Sequence, residues 1–315
     1  MPKTPAWVLL LTGALFAAGC AEQARAAPTD SEPVPALAAP VSPAPSADPV
    51  APPRWPAASA PLMVARVEFP KGFGKKRIYL DAGHGAPGND GNSSVTCEPE
   101  ASYTLRVAQE LARRLEATGH FRVKLSRKPG QRPTYQERLA EAERWKADLF
   151  VSLHSDARGE ASGWMASPEQ WCMRNDAAPG YSVLYADDTP EPLLSQRLAL
   201  ARALARRMGD AGFHPYGGED YVGLYDPDTQ QPGTFVSRHQ PGQRIFVLRM
   251  PPMPSVIIET HHAWDLEEEK RWREERTLEA FAAAVARGLV DALATPTSAP
   301  PPPAVSSTRA TGPVP

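Results

Sequence analysis

Two tracts rich in proline and alanine decide where this chain can build a core. Residues 20–61 and 295–315 consist largely of Pro, Ala, Ser, Thr and Val with almost no aromatic side chains. Neither can bury enough apolar surface to offset the entropy of ordering its backbone. The first is expected to be a disordered linker and the second a disordered tail. What lies between, residues 62–294, has the length of one domain of ordinary size.

Ahead of the linker, residues 1–19 read as a signal peptide: Lys3 supplies positive charge, an apolar run follows from Ala6 to Ala18, and small residues close it. The run is too short to span a bilayer comfortably. Ala17-Ala18-Gly19-Cys20 resembles a bacterial lipobox, in which the cysteine is lipidated after cleavage in front of it. Ala24-Arg25-Ala26 offers the other reading, an ordinary secretory cleavage site. Export follows from both. With Ala21 rather than Asp after the cysteine, the lipobox points to an outer-membrane lipoprotein facing the periplasm, held to the membrane through Cys20. Under either processing Cys20 leaves the set of three cysteines, and Cys97 and Cys172 remain as a pair in an oxidising compartment. A disulfide is expected between them. The formal net charge of −2 leaves no footprint for nucleic acid.

Within the domain, strand-like and helix-like patterns alternate, the signature of an α/β fold. Arg77-Ile78-Tyr79-Leu80-Asp81 is a short apolar run ending at a glycine-rich turn. Leu105, Ala108, Leu111, Ala112 and Leu115 recur at helical spacing between Ala101 and Thr118, and Gly119 stops that helix. Strands are expected at Phe121 to Leu125 and Asp148 to Leu153, with an amphipathic helix from Thr134 to Lys146 between them. Ser155 to Gly180 has no clear period and reads as an inserted loop region. Tyr181 to Tyr185 is expected as a strand, Leu193 to Met208 as a helix, and the Gly/Pro-rich stretch to Gln243 as a loop. Two late strands, Ile245 to Leu248 and Val256 to Ile258, precede a last helix from about Glu274 to Ala292. The expected architecture is a single domain with a twisted, mostly parallel or mixed sheet flanked by helices.

The chemistry collects at strand ends. His84 sits in Asp81-Ala82-Gly83-His84-Gly85 after the first strand, and His154 follows Val151-Ser152-Leu153 in the same manner. Ligands in open α/β sheets bind at the carboxyl ends of the strands, so two imidazoles fall on one edge of one sheet. Hydrolytic zinc is held by three His or carboxylate side chains with a position left for water. Glu98 or Glu100, in the loop that His84 opens, can complete the set. A carboxylate is also needed to take a proton from the water, and Glu259, which ends Val256-Ile257-Ile258, is placed for it.

These residues resemble the zinc-dependent N-acetylmuramoyl-L-alanine amidases of the amidase type 3 family. Asp81-Ala82-Gly83-His84-Gly85 is similar to its D-P-G-H-G, with Ala for Pro. Glu100-Ala101-Ser102-Tyr103-Thr104-Leu105-Arg106-Val107-Ala108 fits its E-x-x-x-[NT]-L-x-[IV]-A, which selects Glu100 over Glu98. Ser126-Arg127 resembles its T-R pair, Glu137-Arg138 its E-R pair, and Ala147 to His154 its A-D-x-F-V-S-[IL]-H. Pro254 to Glu259 is similar to P-[AS]-[VI]-L-[VI]-E. The resemblance implies zinc held by His84, Glu100 and His154, Glu259 as the catalytic carboxylate, and peptidoglycan as substrate, cut between N-acetylmuramic acid and L-alanine. Departures are Ser155-Asp156 where the family has Ala-Asn, and Thr260-His261-His262 after Glu259. Arg158 to Gly180 and Phe213 to Gln243 carry no family motif.

Plainer roles are expected elsewhere. His261 and His262 read as polar loop residues, and Glu267-Glu268-Glu269 as a solvated helix face. Trp164 and Trp171 either line a glycan groove or pack under the loop. Two other functions remain open: a zinc peptidase cutting inside the stem peptide, and a tethered peptidoglycan-binding module without activity. Whether a protein activator joins peptidoglycan and membrane as a partner is also left open.

Overall fold

The computed structural model describes residues 52–294; the signal peptide, Cys20, most of the expected linker and the tail lie outside the described residues. Seven strands form the main sheet in the order β2-β1-β3-β9-β6-β8-β7. They are β1 (Lys76–Ala82), β2 (Phe121–Leu125), β3 (Leu149–Asp156), β6 (Ser182–Tyr185), β7 (Tyr225–Pro227), β8 (Thr234–Ser237) and β9 (Ser255–His262). The strands from β2 to β9 run parallel, β6 is antiparallel to β9 and parallel to β8, and β7 is antiparallel to β8, so the sheet is mixed. A separate hairpin joins β4 (Ser162–Ser167) to β5 (Gln170–Arg174).

Helices cover both faces. Ile78 and Leu80 of β1 face α1 (Glu100–Ala117), α3 (Leu193–Asp210) and α6 (Glu275–Ala294), while Tyr79 faces the layer of α2 (Tyr135–Arg144) and α4 (Phe246–Arg249). Burial on both sides is why β1, β3 and β9 read as apolar runs, whereas the edge strand β2 alternates. Helix α2 starts where Thr134 and Glu137 close a reciprocal capping box.

Five expectations are corrected. Ile245 to Leu248 forms no strand: Phe246–Arg249 is one turn of helix that buries Val247 and Leu248. A four-residue apolar run fits either period, and β9 already has both edges taken by β3 and β6. The expected loop to Gln243 contributes β7 and β8, and the expected loop region after His154 contains the β4–β5 hairpin. Residues 52–61, read as linker, pack onto the domain. Trp55 is buried against Phe213 and Trp272, and its Nε1 donates to Glu268 Oε1 at 2.5 Å. Arg271 donates to the carbonyls of Ala57 and Ala58 at 2.7 and 2.8 Å. The solvated face expected of α5 (Leu266–Arg271) is also corrected in part: Glu267 is exposed, but Glu268 and Glu269 are buried. Glu268 accepts from the backbone of Gly180 and His262, and Glu269 receives Arg273 at 2.5 Å.

Candidate functional site

His84 leaves the end of β1 in a left-handed conformation, φ 57°, between two glycines. Its Nδ1 lies 2.7 Å from Asn89 Oδ1, an acceptor, which favours a proton on Nδ1 and orients Nε2 toward Glu100. That Nε2 lies 3.1 Å from Glu100 Oε2, and His154 Nδ1 lies 3.0 Å from Glu100 Oε1. Glu100 opens α1, where its carboxylate meets the positive end of the helix. Asn92 N and Nδ2 donate to Oε2 at 3.1 and 2.9 Å, and Ser155 N donates to Oε1 at 3.1 Å.

Burial works against charge on both imidazoles, yet Glu100 raises each above its ordinary value. At Glu100 burial is likewise outweighed, by His154 and then His84, and its carboxyl is held well below the usual range.

One ligand atom from each of His84, Glu100 and His154 lies within 4.8 Å of the other two. Donors of a tetrahedral zinc set stand about 3.4 Å apart, so the three residues fit this ion in chemistry and spacing. Two glycines make room for them. A Cβ on Gly83 would come within 2.4 Å of His154 Nε2, and one on Gly91 within 2.5 Å of Glu100 Oε2. Glu98, the other candidate, is turned away and pairs with Arg273 at 2.8 Å.

Glu259 stands on β9 directly across from His154 on β3. Its carboxyl is buried, Oε2 has no hydrogen-bond partner, and burial followed by the nearby Asp156 pushes it up to about 8, with His154 opposing. Asp156 itself accepts from Tyr221 Oη at 2.5 Å and Arg158 Nε at 3.0 Å.

The paired motifs act on the backbone that carries His84. Arg138 Nη2 donates to His84 O at 2.6 Å while Nη1 meets Asp81 Oδ1 at 2.9 Å, and Arg127 Nε donates to Ala82 O at 2.9 Å. Burial alone would raise Asp81, but Arg138 and the hydroxyls of Ser152 and Ser126 outweigh it and hold it low. Arg138→Ala is therefore expected to cost about 3–5 kcal/mol, read by urea unfolding, because a buried carboxylate loses its counter-charge. The sign with pH follows. In the native chain Asp81 contributes stability above its unfolded value, about pH 3.9, and loses it as pH falls toward the lower folded value. In Arg138→Ala burial, the largest influence, is opposed mainly by the hydroxyls of Ser152 and Ser126, so the folded value rises and the Asp81 contribution shrinks or turns unfavourable as pH climbs from about 4. An unchanged pH–stability curve in the variant contradicts this role.

Several neighbours were missed in the sequence. His261 and His262 are not loop residues but buried parts of β9, His261 stacked on Trp272 and His262 accepting from Arg158 N at 3.2 Å. Asn89 and Asn92, which orient His84 and Glu100, sit in a Gly-Asn-Asp-Gly-Asn run that signals only a turn. The expected disulfide is present: Cys97 is bonded to Cys172, with Cα atoms 5.4 Å apart.

The chain is also similar to known proteins in sequence and in fold. Residues 78–291 match the profile of a family described as N-acetylmuramoyl-L-alanine amidase. The chain is 28% identical over 231 residues to a probable N-acetylmuramoyl-L-alanine amidase, AmiB, of Haemophilus influenzae, covering 68% of this chain and 51% of that one. It is 27% identical over 213 residues to the amidase AmiC of Escherichia coli, covering 62% and 47%. The chain thus spans about half the length of these curated relatives. In fold it is similar to the amidase Ami1 of Mycobacterium smegmatis, with TM-score 0.55 and 21% identity over 70% of this chain and 98% of the other. With the profile matched from β1 into α6, the chain belongs to the N-acetylmuramoyl-L-alanine amidase family.

Proposed function

We propose that this protein hydrolyses the amide between N-acetylmuramic acid and L-alanine in peptidoglycan, with His84, Glu100 and His154 holding a zinc ion and Glu259 moving the proton. The observation that carries the reading is the convergence of His84, Glu100 and His154 beside a buried, unpartnered carboxyl on the adjacent strand. When bound, zinc supplies a Lewis acid that makes water nucleophilic near neutral pH. Glu259 takes a proton from the attacking water and delivers it to the departing L-alanine nitrogen, so the C–N bond breaks as the C–O bond forms. Asn89 and Asn92 keep His84 and Glu100 in place, and Arg138 fixes the backbone of His84.

Digestion of purified peptidoglycan tests the reading. The zinc-loaded chain is expected to release stem peptides whose new amino termini are all L-alanine, counted by amine labelling. New termini at later stem residues would assign a peptidase, and no new termini a binder.

Export and tethering through Cys20 belong to the same reading, supported by Lys3, the apolar run and Ala18-Gly19-Cys20. A fatty-acid analogue should label the chain in cells and fail to label Cys20→Ser. An unlabelled mature chain beginning at Ala27 contradicts the anchor.

A further inference from the structure

The β4–β5 hairpin has one face tied down and one face free. Strand pairing sets Met165 opposite Trp171 and Gly163 opposite Met173, which places these four on one face. Trp164 and Cys172 occupy the other. Trp164 Nε1 donates to Val95 O at 2.8 Å and Cys172 is bonded to Cys97, so both anchors grip the loop that joins His84 to Glu100. Cys97 precedes Glu100 by three residues. The hairpin is therefore fixed to the loop that runs from His84 into Glu100.

Its free face carries Trp171, Met165 and Met173, exposed by 66, 48 and 42%. Folding gains nothing from an indole left in water, and clustered exposed apolar side chains mark contact surfaces. The indole is also seated. A Cβ on Gly163 would stand 3.3 Å from Trp171 Cε3, so the missing side chain is what lets the ring lie across the strand. The result is an aromatic plate flanked by two polarizable thioethers, with no charged side chain among the four residues.

We propose that this face binds the glycan strand of peptidoglycan, with sugar rings stacking through their C–H faces on Trp171; this rests on the amidase reading. Charge decides between the two parts of that substrate. Stem peptides carry carboxylates and amines that call for ionic partners, whereas N-acetylated sugar rings are uncharged once their lactyl carboxyl is in amide linkage. An uncharged aromatic face anchored to the loop that leads into Glu100 matches the sugars.

The test uses the full chain and uncharged glycan strands of β-1,4-linked N-acetylglucosamine, soluble for fluorescence and insoluble for sedimentation, which hold no lactyl amide to cut, so binding is read apart from turnover. Glycan strands should shift the tryptophan fluorescence saturably and co-sediment with the protein. Trp171→Ala should weaken binding about tenfold and remove the shift, and Trp171→Phe should stay within about threefold of the native chain. Met165→Ala, on the same face, gives a second reading that survives if Trp171→Ala fails to fold, with binding about threefold weaker. Native chain that ignores the strands, or variants that bind as well as it does, overturns the proposal. So does a dimer, or binding to phosphatidylglycerol vesicles, that Trp171→Ala abolishes with no effect on glycan. Loss of hydrolysis with glycan binding intact would instead count against the amidase reading alone.

Discussion

Glu259→Gln is expected to retain zinc near one ion per chain while its turnover of peptidoglycan falls by about 10²-fold or more. The substitution keeps size and one carbonyl oxygen but removes the ability to take a proton. Glu259 lies across the β3–β9 pair from His154 and its Oε2 has no protein partner, so no hydrogen bond that holds the fold to that oxygen is lost. Stability should therefore change little or rise, because a buried carboxyl is replaced by a neutral amide. Full activity in this variant, or loss of zinc with activity, contradicts the assignment of Glu259.

Removing a ligand should behave differently, and the three ligands do not make equally clean tests. Glu100 accepts from Asn92 and Ser155 as well as facing both imidazoles, so Glu100→Ala would leave buried donors unpaired at about 1–3 kcal/mol. His154 is packed against Gly83. His84 is 21% exposed and, beyond Glu100, touches the edge of the His154 ring and bonds to Asn89, which makes His84→Ala the least disruptive. Elemental analysis should find zinc lost from His84→Ala together with activity, about 10³-fold or more on the scale of metal-assisted hydrolysis, while the metal-free Tm stays close to that of the metal-free native chain. Zinc retained near one per chain in this variant removes His84 from the ligand set.

How much of this was legible depended on where the physical cause lay. The parallel strands and α1, α3 and α6 could be read because each element declares its own burial: Ile78, Tyr79 and Leu80 are apolar in succession because both faces of β1 are covered. The convergence of His84, Glu100 and His154 beside Glu259 could be anticipated from the family pattern, although β3 and β9 run on past His154 and Glu259 and Glu100 opens α1 rather than ending a strand. Glu268 could not. Its burial is caused by Trp55, 213 residues away in the chain, and a run of three glutamates gives no sign of such a partner. The same holds for His262, which takes its place from Arg158, and for the hairpin, whose glycine and serine positions blur the alternation that marks a strand. Short β7 and β8 extend the sheet from the equally short β6, and little in a Gly/Pro-rich stretch announces them.

The central claim concerns which bond is opened and by what, and isotope placement in the product reports both. Peptidoglycan digested by the zinc-loaded chain in water enriched in oxygen-18 should yield glycan whose muramic acid carboxylates each carry one heavy oxygen, with the released stem peptides unlabelled. Heavy oxygen on a peptide carboxylate, with the muramic acid still in amide linkage, would contradict the account.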